Sequence, residues 1–136
     1  MNGRYIIFAD DDEDDLELVT GFFKEFESSV RVLEFSDGKQ VLKHLEAVSS
    51  SSGIWPQLIV LDINMPRMDG ISTLVAIREQ RNIKNVPVVI YTTSMSRTNM
   101  QTCKELDATW LIKPSSIHEI KQTARLLAGL CNNHLS

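Results

Sequence analysis

Residues 6–15 read IIFADDDEDD, and that junction decides the fold. Ile6, Ile7, Phe8 and Ala9 suit a buried strand, yet they run straight into six acids, Asp10 to Asp15. Like charges that close repel, so the cluster costs stability unless something compensates it. A solvated face would spread the acids out or alternate their signs. The stretch therefore reads as a strand whose carboxyl end carries a charged site.

Working outward, five apolar runs read as strands: Arg4–Ala9, Val30–Phe35, Gln57–Asp62, Val88–Thr92 and Thr109–Ile112. Most lack a clean polar alternation, which favours parallel strands covered on both faces. Amphipathic stripes lie between them. Leu16, Val19, Phe22, Phe23 and Phe26 recur at helical spacing, and so do Val41, Leu42, Leu45 and Val48. Ile71, Leu74 and Val75 form a third stripe, and Met100, Cys103 and Leu106 mark a weak fourth helix over Ser96–Leu106. The last helix carries Ile117, Ile120, Ala124, Leu127, Ala128 and Cys131. Strand and helix alternate five times, the pattern of a doubly wound α/β sheet. The run SSSSG at 49–53 reads as a loop before the third strand.

A chain of 136 residues that is 43% hydrophobic and 24% charged fits one soluble domain, 1–136, with no output module. The net charge of -4 leaves no global basic footprint for nucleic acid or an anionic membrane. Cys103 and Cys131 form no CxxC pair, so reduced thiols and a cytoplasmic location are expected. No apolar run approaches a membrane span or a secretory signal.

In an open parallel sheet, ligands bind beyond the carboxyl ends of the strands. Asp10 and Asp11 stand there after strand one, Asp62 after strand three, Thr92 and Thr93 at strand four, and Lys113-Pro114 after strand five. Three carboxylates that close cannot all stay ionised without a cation, and oxygen ligands of this kind suit Mg²⁺. Asp12–Asp15 read as the first turn of a helix, where acids complement the macrodipole. An EF-hand fails on spacing, since its glycine position falls on Asp15 and its final glutamate on Gly21.

FADDDEDD, LIVLDINMPRMDG, PVVIYTTS and DATWLIKP together resemble the four signature segments of the receiver domain of bacterial two-component response regulators, in order and over essentially the whole chain. The resemblance implies a flavodoxin-like strand order 2-1-3-4-5. It makes Asp62 the phosphoacceptor, charged by a histidine kinase or a histidine phosphotransfer protein. It gives Mg²⁺ to Asp10, Asp11, Asp62 and the backbone carbonyl of Asn64. Thr92 would bond a phosphoryl oxygen, Lys113 would pair with it, and the Lys113-Pro114 bond would be cis. Trp110 stands where the family often has a Tyr or Phe that changes rotamer with the switch. Such a receiver is a signalling module rather than an enzyme with turnover. Phosphorylation would reshape a surface that meets a downstream protein or a second copy, or would pass the group onward.

The physics of phosphoryl transfer agrees with that assignment. A weak carboxylate nucleophile needs in-line positioning and neutralised phosphoryl oxygens, which a cation, an ammonium and a hydroxyl supply. Two alternatives stay open. A haloacid-dehalogenase-like phosphatase also places Asp-x-Asp after strand one, but it wants a Thr where Asp14 stands. A constitutive scaffold would not need all of Asp10, Asp11, Asp62, Thr92 and Lys113. The resemblance puts Asn64 and Ser94 on the route of attacking water; both are small or neutral, so a short-lived phosphoryl state is expected. Ser115 or Ser116 is expected to cap the last helix, with Glu119 closing a capping box. Gly70 reads as permitting a tight turn or a positive φ before helix three. His44, His118 and His134 read as ordinary surface residues. Gly21 is a weakness inside helix one.

Overall fold

A computed structural model describes residues 3–80, 82–83 and 85–135. The chain runs β1 (Tyr5–Ala9), α1 (Glu13–Phe26), β2 (Arg31–Phe35), α2 (Gly38–Ser51), β3 (Ile59–Leu61), α3 (Gly70–Glu79), β4 (Val88–Thr92), α4 (Arg97–Glu105), β5 (Thr109–Ile112) and α5 (Ile117–Leu135). The strands form one parallel sheet in the order β2-β1-β3-β4-β5, as the resemblance implies.

Sequence parity explains why the central strands show no polar alternation. Tyr5, Ile7 and Ala9 of β1 join Ile59, Leu61, Val88 and Ile90 in a core under α2 and α3. Ile6 and Phe8 point the other way and meet Val60, Val89 and Tyr91 under α1 and α5. Both faces of the sheet are covered, so odd and even positions alike must be apolar. α1 and α5 pack together on one face through Leu16, Val19, Phe23, Ala124, Leu127 and Cys131, all buried.

The elements depart from expectation in a few places. β3 is shorter than Gln57–Asp62, because its ladder to β4 starts only where Ile59 pairs with Val88. Gln57 and Leu58 still bond β1, through Gln57 N–H to Tyr5 O at 2.9 Å and Ile7 N–H to Leu58 O at 3.0 Å. α2 continues through Ser51 into the serine run instead of ending before it. Ser52 closes it in the left-handed region (φ 56°), and the Gly53 N–H bonds Val48 O at 3.1 Å. On α3 the large apolar residues that are buried are Leu74 and Ile77, while Val75 is exposed. Ile117 is also exposed at the start of α5. Both cysteines are buried and free. No helix among the described residues is long and apolar enough to cross a membrane.

Candidate functional site

Register places the site. Ala9 pairs with Leu61 and Leu61 with Ile90, so Asp10 and Asp62 leave neighbouring strands at one height, with Thr92 on the same rim. Asp62 N–H bonds Ala9 O at 2.9 Å, and Lys113 N–H bonds Thr92 O at 2.7 Å, which ties the strand ends together. Asp10, Asp11 and Asp62 each offer a carboxylate oxygen, and these oxygens all lie within 4.8 Å of one another. Asp10 and Asp62 are buried and Asp11 is exposed, so the cluster opens to solvent on one side.

Lys113 provides the counter-charge. Its Nζ lies 2.6 Å from Asp10 Oδ2, 3.0 Å from Asp15 Oδ2 and 3.2 Å from Asp62 Oδ2. Burial alone would lower its pKa, but its bonds to Asp10 and Asp15 raise it instead, so it stays charged. Asp10 is pushed up to about 6 by burial, against the pull of Lys113 and of the Asp12 N–H. Tyr91, beneath the ammonium at 5.7 Å from ring centroid to Nζ, is raised to about 12 by burial. Thr92 is fully buried, and its hydroxyl makes no hydrogen bond among the described residues. A buried hydroxyl without a partner is costly unless a ligand completes it.

Local structure aims these groups. Asp12 caps α1, its Oδ1 accepting from the Asp14 and Asp15 N–H groups at 3.1 Å each. Asp12 N–H in turn bonds Asp10 Oδ1 at 3.0 Å, and Ile63 N–H bonds Asp62 Oδ1 at 2.8 Å. The loop after Asp62 is staked from the side. Arg67, itself left-handed at φ 62°, forks onto the buried Asp37 carboxylate through Nε at 2.6 Å and through Nη2. Asp37 caps α2 through the Gln40 N–H at 2.8 Å, and the Gly38 N–H bonds Met68 O at 3.1 Å.

Gly70 closes the loop after Asp62, its N–H bonding Ile63 O at 3.0 Å, but not through a positive φ. No glycine here has a positive φ. A β-carbon on Gly70 would instead sit 2.8 Å from the Asp62 carbonyl carbon, and closer still to its oxygen. The Lys113-Pro114 bond is trans rather than cis, since no cis peptide occurs among the described residues. Trans and cis X-Pro differ by only about 0.5–1 kcal/mol, so the dipeptide alone does not select one. In the trans form the Lys113 side chain already reaches three acids.

Other residues fall as follows. Trp110 is half-buried against the core and lines a hollow with Cys103, Lys104 and Asp107. Asn64 and Ser94 are both exposed beside the site. Ser116 is the cap of α5: its Oγ accepts from the Glu119 N–H at 3.2 Å and donates to Glu119 Oε1 at 2.9 Å. His44 is no plain surface residue, because it packs edge-on to Tyr5 and its Nε2 lies 2.9 Å from the Tyr5 hydroxyl. The Tyr5 hydroxyl donates to Ile54 O at 2.7 Å, so His44 Nε2 carries the proton it shares. His118 is exposed, and His134 lies outside the residues whose side chains are described. Asp15 is the site contact that sequence reasoning missed. Its only signal is its place beside Leu16, at the edge of the buried stripe of α1.

A family model described as the response regulator receiver domain matches residues 6–125. The chain is 27% identical over 119 residues to the probable methanogenesis regulatory protein FilR2 of Methanothrix harundinacea, covering 87% of this chain and 77% of that one. It is 25% identical over 128 residues to response regulator Rcp1 of Synechocystis, covering 93% and 86%. The solved Mn(2+)-bound form of response regulator Rcp1 superposes with a TM-score of 0.80 at 25% identity, covering 90% of each chain. The phosphorylated cyanobacterial phytochrome response regulator RcpA shares the fold, with a TM-score of 0.82 at 23% identity over 100% of this chain and 96% of that one. The rim of acids, the strand order and the family match converge: the chain belongs to the response regulator receiver domain family.

Proposed function

We propose that Asp62 is the phosphoacceptor, charged by a histidine kinase or a histidine phosphotransfer protein. The observation that carries this reading is the buried Asp62 carboxylate, held by Lys113 at 3.2 Å within the three-acid cluster. One Asp62 oxygen attacks phosphorus while the P–N bond to the donor imidazole breaks. Ile63 N–H fixes one oxygen of the nucleophile, and Lys113 aims the other. The orphaned Thr92 hydroxyl is the donor available to an incoming phosphoryl oxygen. Asp10, Asp11, Asp62 and the Asn64 carbonyl would hold a divalent cation, which we take to be Mg²⁺. All-oxygen donors and an opening to solvent suit that hard ion, which keeps several waters. When bound, it supplies charge neutralisation at the phosphoryl oxygens.

Phosphorylation then shifts an existing equilibrium by drawing Thr92 and Lys113 toward the new group. Trp110, on β5 beside Cys103 of α4, reports that shift. Ile112 and Ile117 are about half exposed, at 49% and 56%, and belong to the face offered to a downstream protein or to a second copy. The exposure of Asn64 and Ser94 leaves water free access, so the phosphoryl state is short-lived.

Intact mass after incubation with a small acyl phosphate, with and without Mg²⁺, tests the assignment beside Asp62→Asn. A Mg²⁺-dependent phosphoryl adduct absent from the variant is expected. An adduct that survives Asp62→Asn, or steady turnover of a generic phosphoester, would overturn it.

A further inference from the structure

An ammonium has three N–H donors, and Lys113 spends all of them on carboxylates: Asp10, Asp15 and Asp62. On the phosphoacceptor reading, on which this inference rests, two of those partners take on a second duty. Asp10 would share its carboxylate with the cation, and the Asp62 carboxylate would lose its charge on becoming an acyl phosphate. Asp15 has no such second duty. It is not one of the three clustered acids. The α1 cap is made by Asp12, and Asp15 contributes only its backbone N–H to it. Its side chain projects from α1 to a lysine 98 residues away in sequence, with a donor–acceptor distance of 3.0 Å.

We propose that Asp15 is a positioning residue that anchors Lys113 while Asp10 and Asp62 exchange partners. With Asp15 in place, one donor stays fixed and the other two remain aimed across the rim, where a phosphoryl oxygen arrives. Without it, the ammonium settles wholly on Asp10 and Asp62 and competes there with the cation. Asp15 thereby acts on the cation through Lys113, not through its own charge.

The plain alternative is that Asp15 only complements the dipole of α1, as Glu13 and Asp14 do in the same turn. A double-mutant cycle separates the two. Mg²⁺ affinity, read by tryptophan fluorescence or calorimetry, and the phosphorylation rate with a small acyl phosphate are measured for wild type, Asp15→Asn, Lys113→Met and the double variant. Asp14→Asn, on an exposed residue of the same turn, is the control for the dipole. Asp15→Asn should weaken Mg²⁺ binding and slow phosphorylation by roughly three- to tenfold, the size of one partly exposed charge-assisted contact. In the Lys113→Met background the effect on Mg²⁺ should vanish, and Asp14→Asn should change neither quantity. Equal losses from Asp15→Asn in both backgrounds, equal losses from Asp14→Asn, or no loss at all would overturn the proposal. A wild-type protein that binds Mg²⁺ and forms an adduct keeps the phosphoacceptor reading standing in each of those cases. A wild-type protein that does neither removes both.

Discussion

Replacing Gly70 by alanine perturbs the proposed phosphoacceptor, Asp62, without touching any charged group. Gly70 opens α3, and its φ is not positive, so alanine suits the backbone there. The whole penalty comes from backbone contacts with Asp62 and Ile63, the tightest to the Asp62 carbonyl oxygen. The new methyl would lie 2.8 Å from the Asp62 carbonyl carbon and 3.1 Å from Ile63 Cα, where ordinary contact begins at 3.4 Å. These neighbours are backbone, so no side chain can swing aside. Relieving the carbonyl-carbon contact alone takes a shift of roughly half an ångström, a size that overpacked interiors do not absorb freely. The shift must strain either the Gly70 N–H bond to Ile63 O at 3.0 Å or the Asp62 N–H bond to Ala9 O at 2.9 Å. Overpacking costs about 1–3 kcal/mol and a weakened hydrogen bond about 1 kcal/mol more. Alanine returns up to about 1 kcal/mol through its lower unfolded-state entropy and better helix propensity. The expected net loss is about 1–3 kcal/mol in urea unfolding. Because the displaced carbonyl belongs to Asp62, Mg²⁺ affinity should fall as well. A variant as stable as wild type with unchanged Mg²⁺ affinity would refute the reasoning.

Gly21 sits exposed in the middle of α1, and a β-carbon there would meet nothing within 4 Å. Gly21→Ala should therefore stabilise the fold by about 0.5–1 kcal/mol, read as a raised urea midpoint at unchanged slope. Burial raises the Asp10 carboxyl from 3.8 to about 6, so the folded apo protein takes up a proton before the unfolded chain does. Apo stability should accordingly be gained as pH falls through about 6 toward 4, and lost again as it rises. Mg²⁺ needs the ionised carboxylate, so its affinity should drop below about pH 6 by up to about tenfold per unit, as calorimetry across that range would show.

The sheet and its rim were legible in the sequence because their information is local. Strand ends follow from runs of Ile, Val and Leu, and parallel pairing brings those ends to one edge, so Asp10, Asp62, Thr92 and Lys113 could be placed together before any coordinate. What escaped depends on distances between elements far apart in the chain. Asp15 looked like one more acid in a helix start, and only the packing of α1 beside α5 delivers it to Lys113. Asp37 and Arg67 are 30 residues apart, and neither carries a motif that announces their pairing. Of the two causes offered for Gly70, a positive φ fails: composition says that a side chain is unwelcome, not whether φ or a neighbouring carbonyl forbids it. The serine run misled because polarity was read as loop, although Val48 lies buried just before it and carries the helix on for most of a turn. The Asp15, Asp37–Arg67 and Gly70 misses each involve a contact that fixes a charged group or a loop, not the apolar periodicity that builds the sheet. The rim of a parallel sheet can thus be placed from strand ends alone, while contacts such as Asp15 to Lys113 and Arg67 to Asp37 are displayed only by the folded chain.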